Sequence, residues 1–167
     1  ERAMGVAERP ETGQLAIACR NEVLLFRDSA ELASHYPKAP GQYDAMYMPR
    51  ATFYTGGLDL HDLHFDAEGR LLAVNTLFSC IVEVDAMWKF KPVWQPTFID
   101  RIAGEDRCHL NGLAMEDGRP RYATAFSTDN VAGGWRRDVM RTGVVIDIER
   151  NEVLAEGLAM PHSPTII

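Results

Sequence analysis

The 167 residues are 46% hydrophobic and 25% charged with a net charge of −7, an ordinary balance for a globular protein of about one domain with a buried core. The acidic total argues against a nucleic-acid surface. No apolar run approaches the roughly 18 residues of a membrane span, and the opening ERAMGVAERP lacks the apolar stretch of a secretion signal. Cys19, Cys80 and Cys108 are scattered, with no CxxC pair, which argues against a disulfide framework or a structural zinc site and points to small buried hydrophobes in a reducing cytoplasm.

In chain order the predicted elements are almost all strands. QLAIACR (14–20) and EVLLFRD (22–28) read as a hairpin-like pair across Asn21. SAELASHY is the one expected helix, short, with Ser29 as N-cap. YDAMYMPRATFYTG reads as an edge strand broken at Pro49. LLAVNT and CIVEVD make a second pair. MWKFKPVWQPTFI then supplies an outer strand whose Trp88, Phe90 and Trp94 are expected to pack. RYATAF and TGVVIDIE form a third pair, and VLAEGLAM follows a turn at Asn151-Glu152. All are apolar, β-branched runs bounded by Gly, Asp and Asn.

A repeat organises these strands. MGVAERPETGQLAIA, LHFDAEGRLLAVN and GLAMEDGRPRYATA each run from a short strand through a glycine turn into another strand, and a fourth copy is expected from MPHSPTII. His61, His109 and His162 mark three starts, 48 and 53 residues apart. A period of about 50 residues with about four strands per unit is the signature of β-propeller blades. A β-sandwich gives no reason for such a period. The expected fold is all-β: a single partial β-propeller domain over residues 1–167 with about three four-stranded blades. Its approximate repeats are 4–58, 59–107 and 108–160, with another starting at 161. Closed propellers need about four to eight blades, position 1 is not Met, and Thr165-Ile166-Ile167 reads as mid-strand. The expectation is therefore a segment of a longer propeller, or a chain that closes one by self-association.

DLHDLHFD, GRLLAVNTLFSCIVEVD, WQPTFI, EDRCHLNGLAM, DGRPRYATA, GGWR and GLAMPHSP together resemble an uncharacterised bacterial family of conserved hypothetical proteins carrying a domain of unknown function. The resemblance runs from about Tyr43 to Pro164 and is less distinctive before Tyr43. It implies a β-propeller and a chain that continues past PHSP; it brings no established activity and no catalytic residues. The glycine-turn repeat is also similar, at the level of fold alone, to gluconolactonase-like and strictosidine-synthase-like propellers.

Several residues are candidates for chemistry. Along the HDLH strand alternate side chains face opposite ways, so His61 and His64 do not share a ligand, while Asp62 and His64 do share a face. An Asp62–His64 pair could orient an imidazole for acid–base work; the structural reading is that these groups satisfy backbone donors. Anchored on the glycine turn, Leu63 matches Leu113 and Phe65 matches Met115, which sets His61 opposite Asn111 with His109 two residues earlier. His61, His64, His109 and Asp62 are the candidates for catalysis. His61, His109 and His162 could together ligate one divalent metal at a channel mouth, with Asp59 or Asp62 supplying charge.

Arg107, beside Asp106, either braces a loop or meets a ligand carboxylate. The long segment STDNVAGGWRRDVMRTG (127–143) joins a Gly133-Gly134 hinge to Trp135, Arg136, Arg137 and Arg141, a mixture suited to an anionic or sugar-like ligand. The candidate ligand-binding set is Arg107, Asn111, Trp135, Arg136 and His162. GxSxG, GxGxxG, P-loop and HExxH motifs are absent. The favoured expectation is a small polar or anionic ligand at the channel mouth, with no nucleic acid or membrane partner. The alternatives are a metal-dependent hydrolase, lactonase or lyase using the histidines, and a protein-interaction scaffold. The sequence does not decide whether the protein is an enzyme.

Overall fold

The glycine turn that recurs in the sequence puts its glycine in the left-handed region each time: Gly13 at φ 63°, Gly69 at φ 80° and Gly118 at φ 71°. A side chain there would strain the backbone. In the computed structural model, which describes residues 3–167, each turn joins the first two strands of a four-stranded antiparallel meander. The first sheet holds β1 (Gly5–Arg9), β2 (Gln14–Ala18), β3 (Glu22–Asp28) and β4 (Tyr47–Tyr54). The second holds β5 (Leu60–Phe65), β6 (Leu71–Asn75), β7 (Cys80–Val84) and β8 (Lys91–Trp94). The third holds β9 (Leu110–Glu116), β10 (Arg119–Ala125), β11 (Gly143–Asp147) and β12 (Glu152–Leu158). The fold is all-β, with three four-stranded antiparallel sheets.

The second sheet lies between the other two. On β6, Leu71 and Ala73 enter a core with Ala7, Ala16 and Val23 of the first sheet. Leu72 and Val74, facing the other way, enter a second core with Leu113, Ala123, Val144 and Ile146 of the third. Because successive side chains alternate faces, a strand buried on both sides is apolar along its length, as Leu71–Val74 are; β6 ends at buried Asn75, whose Oδ1 accepts the Phe78 amide at 3.1 Å. Cys80 belongs to the first core and Cys108 to the second; burial pushes both thiols up to about 12.

The first strands of the sheets adjoin one another, β1 against β5 and β5 against β9. At the first seam a Cβ on Gly5 would lie 3.0 Å from backbone atoms of Asp62. At the second, the Asp62 carboxylate accepts the amides of Leu63 and Leu113, each at 3.0 Å. Beyond β12 the chain folds back onto β9, where a Cβ on Gly112 would come within 2.5 Å of Pro164 Cδ.

Four local expectations meet the structure differently. The helix α1 is a single turn, Ala30–Ala33, and Ser29 makes no side-chain cap; Asp28 Oδ1 accepts the Ala30 amide at 2.9 Å instead. Pro49 does sit on an edge strand, opposite Phe26, where the β3–β4 register shifts. Phe90 and Trp94 pack against the two cores, but Trp88 is 66% exposed. Its loop is held by Asp85 Oδ1, which accepts the amides of Met87 and Trp88. Residues 161–167 form no strand; Pro161 packs against Gly143 of β11 and Pro164 against Gly112 of β9. Among the described residues no helix is long and apolar enough to cross a membrane.

Candidate functional site

The start of β5 places His61, and an unusual backbone fixes its ring. Asp59, just before the strand, has φ 54°, a conformation uncommon outside glycine. Its carbonyl lies 3.1 Å from His61 Nδ1. Thr76, just past β6, puts its hydroxyl 2.8 Å from the same nitrogen and 2.5 Å from the Leu110 carbonyl. A hydroxyl has one proton, and Thr76 gives it to Leu110. Thr76 and Asp59 therefore both accept from His61 Nδ1–H, which in the neutral ring leaves the lone pair on Nε2.

His109 stands at the matching place before β9, and it too is left-handed, at φ 53°. Its Nδ1 lies 3.1 Å from both carboxylate oxygens of Asp106. A carboxylate only accepts, so this ring also has its proton on Nδ1. Asp106, itself at φ 42°, accepts the indole Nε1–H of Trp135 at 2.8 Å. The Arg136 guanidinium lies 4.2 Å over the Trp135 ring and 3.5 Å from Asp106. The long 127–143 loop thus folds inward, and its tryptophan braces a histidine.

The rings meet across sheet boundaries. His61 and His109 lie edge to face with centroids 5.0 Å apart, and His162 stacks on His61 at 6.2 Å. Phe126 touches His109 at 4.5 Å and His162 at 5.2 Å. Partial burial, then repulsion from His61 and His109, holds the His162 pKa below the usual histidine range. A cavity of about 580 Å³ opens beside the cluster, lined by Arg20, Asp59, Leu60, His61, Leu77 and His109, with Met4, Cys19 and Gly57 completing the wall. Among the described residues no three His, Cys, Asp or Glu side chains are arranged to hold a metal ion.

Of the candidate residues, His61, His109, His162, Trp135 and Arg136 come together. Asn111 is adjacent but engaged: it donates to the His109 carbonyl and accepts from Thr124. Asp62 stitches β5 to β9 through backbone amides. His64 Nε2 lies 3.4 Å from Asp62 Oδ1, yet it is buried without a hydrogen bond. Arg107, 2% exposed, binds Asp100, Glu105 and Asn130 rather than Asp106. It is a loop brace, and its guanidinium holds the Asp100 and Glu105 carboxyls below their usual range. Arg20, Thr76 and Phe126 were not signalled by any motif. The Asp106–His109 spacing was visible but gave no reason to prefer His109 over Arg107 as the partner of Asp106.

Three four-stranded antiparallel sheets, with His61 on β5 and His109 just before β9 on the wall of one cavity, make up the described chain. The chain belongs to the DUF4915 family, a domain of unknown function whose family model matches residues 1–166 and so includes the stretch before Tyr43. None of the curated proteins matches the chain.

Proposed function

We propose that the three sheets are blades of a β-propeller and that the cavity beside His61 and His109 binds a small polar or anionic ligand. The radial arrangement is supported by the succession of first strands, β1 on β5 and β5 on β9, with Ser163 and Pro164 taking the next place against Gly112. Three blades are fewer than the four to eight or so of closed propellers, so further blades come from a longer chain or a second copy. The observation that carries the binding reading is the pair of imidazoles fixed in one tautomer, from two different sheets, on the wall of one cavity that also holds Arg20. Fixed donors and acceptors converging on a concavity are what a specific ligand site needs.

Side-chain 15N resonances of His61 and His109, followed while small carboxylates, polyols and hydroxy acids are added, test this. Saturable shifts in both rings support it; rings that stay unmoved across the panel sink it.

A bound divalent metal is the second reading. Ring nitrogens anchored by a carbonyl and a carboxylate, leaving the opposite nitrogen with its lone pair, are the usual outer support of metal-ligating histidines. His61, His109 and His162 would hold it, and since their rings as placed do not form a ligand set they would have to close on the ion. Elemental analysis of the purified protein, repeated on His61→Ala and His109→Ala variants, decides: metal near one per chain, lost in both folded variants, would select this reading.

A further inference from the structure

We propose that the ligand of this cavity is a polyhydroxylated carboxylate, a sugar acid in chemical class. Its hydroxyl groups donate to His61 Nε2, His109 Nε2 and Asp59, and its carboxylate meets Arg20. The inference rests on the binding reading above and adds the chemistry of what is bound.

The tautomers carry it. A neutral imidazole has one N–H and one lone pair. In His61 the N–H is engaged by Asp59 and Thr76, and in His109 by Asp106. Each Nε2 is therefore an acceptor. Neither has a hydrogen-bond partner among the described residues, and neither is among the buried atoms left without one. Both rings line the cavity, their side chains 10% and 12% exposed. Asp59 lines it too, with its side chain 54% exposed, and an ionised carboxylate only accepts.

The charged and imidazole groups on the wall thus amount to three acceptors and one permanent cation, Arg20. A bare alkyl carboxylate would satisfy Arg20 but set its own oxygens against three sets of lone pairs. A neutral polyol would satisfy the acceptors and offer the guanidinium no carboxylate to pair with bidentately. An amine would meet the acceptors at the cost of repulsion from Arg20. A chain of hydroxyl-bearing carbons ending in a carboxylate satisfies all four groups. Leu60 and Leu77 on the same wall offer apolar contact to its carbon backbone.

Calorimetric titration with two matched sets tests the assignment: glycerate, glycerol and propionate, then mannonate, mannitol and hexanoate, each with and without EDTA. At least one hydroxy acid is expected to bind roughly tenfold or more tighter than both its polyol and its alkanoate partner, because each partner leaves polar groups unmatched. Arg20→Gln, at an exposed position, is expected to bring the acid down to the level of the polyol and leave the polyol unchanged. The assignment is overturned if an alkanoate or polyol binds as tightly as its hydroxy acid, if Arg20→Gln has no effect, if EDTA abolishes binding, or if neither acid binds. Should the two histidine rings shift with some other compound while both hydroxy acids fail, this ligand class is wrong and the binding site survives. Should no compound shift them, the binding site itself is wrong.

Discussion

Asp106 holds His109 through both carboxylate oxygens at 3.1 Å, three residues back along a chain that is left-handed at both positions. Strained backbone at two polar residues in one short loop is the kind of feature that clusters at functional sites. Here its effect is concrete: it sets which ring nitrogen carries the proton.

In their neutral forms, His61 and His109 are expected to be Nδ1-protonated. Long-range 1H–15N correlation spectra of the imidazoles read this directly. An Nε2–H pattern for either ring would remove the basis for treating that nitrogen as an acceptor.

Replacing Asp106 disturbs two donors at once. In Asp106→Asn one oxygen still accepts, while the new amide N–H opposes either His109 Nδ1–H or Trp135 Nε1–H. We expect destabilisation of about 1–3 kcal/mol, with a changed His109 side-chain spectrum. Trp135→Phe, which keeps an aromatic ring and loses only the indole donor, should cost about 1 kcal/mol. Equal losses in denaturant melts of the two variants would mean that the carboxylate contributes nothing beyond the tryptophan bond.

Asp62 and His64 are separable. Asp62→Asn loses one of two acceptors for the Leu63 and Leu113 amides and should cost about 1–3 kcal/mol. His64→Leu removes a buried nitrogen that has no hydrogen bond, so stability should change by less than about 1 kcal/mol and ligand titrations should be unaltered. A His64→Leu protein that folds normally but no longer binds ligand would restore the pair to the site.

Gly112→Ala should destabilise the protein by about 1–3 kcal/mol, because its Cβ would meet Pro164 Cδ at 2.5 Å and Thr124 Oγ1 at 2.6 Å. The 161–164 segment must then shift, taking His162 with it. Loss of the His61–His162 stacking contact in a variant crystal structure, with the β9–β10 pairing intact, is the expected result. An unchanged segment would show that the side chain of Pro164 gives way alone.

Acid sensitivity follows from three carboxyls held below their usual range: Asp100 and Glu105 by Arg107, and Asp147 by Arg121. Unfolded carboxyls titrate near about 4. With lower folded values, the unfolded chain binds more protons as pH falls. The stabilisation is complete above the unfolded values and is lost as pH drops through them toward the folded ones. Solvent screening keeps the share of exposed Asp100 modest. Thermal melts between about pH 3 and 8 should show a shallower acid decline in Arg107→Gln, where Asp100 and Glu105 return toward ordinary behaviour. Parallel declines would assign the acid loss elsewhere.

The sequence by itself determined most of the strands and the glycine turns, because strand-forming runs and turn chemistry are local properties that survive in one dimension, whereas the two-sided burial of Leu71–Val74 came from the packing of the sheets. It also set His61 opposite Asn111 with His109 two residues earlier, since the repeat supplies its own alignment. Only the tertiary structure decided what those places contact. Thr76 reaches His61 from the end of the neighbouring strand β6, Trp135 returns from a long loop to Asp106, and Arg20 joins the same wall from the β2–β3 turn of the first sheet. Arg107 and Asp106 are neighbours in sequence, yet they point into different networks. Partners so distant along the chain are chosen by sheet packing and loop closure, which leave no periodic trace in the sequence, and a proton on one ring nitrogen is fixed only when those partners are in place.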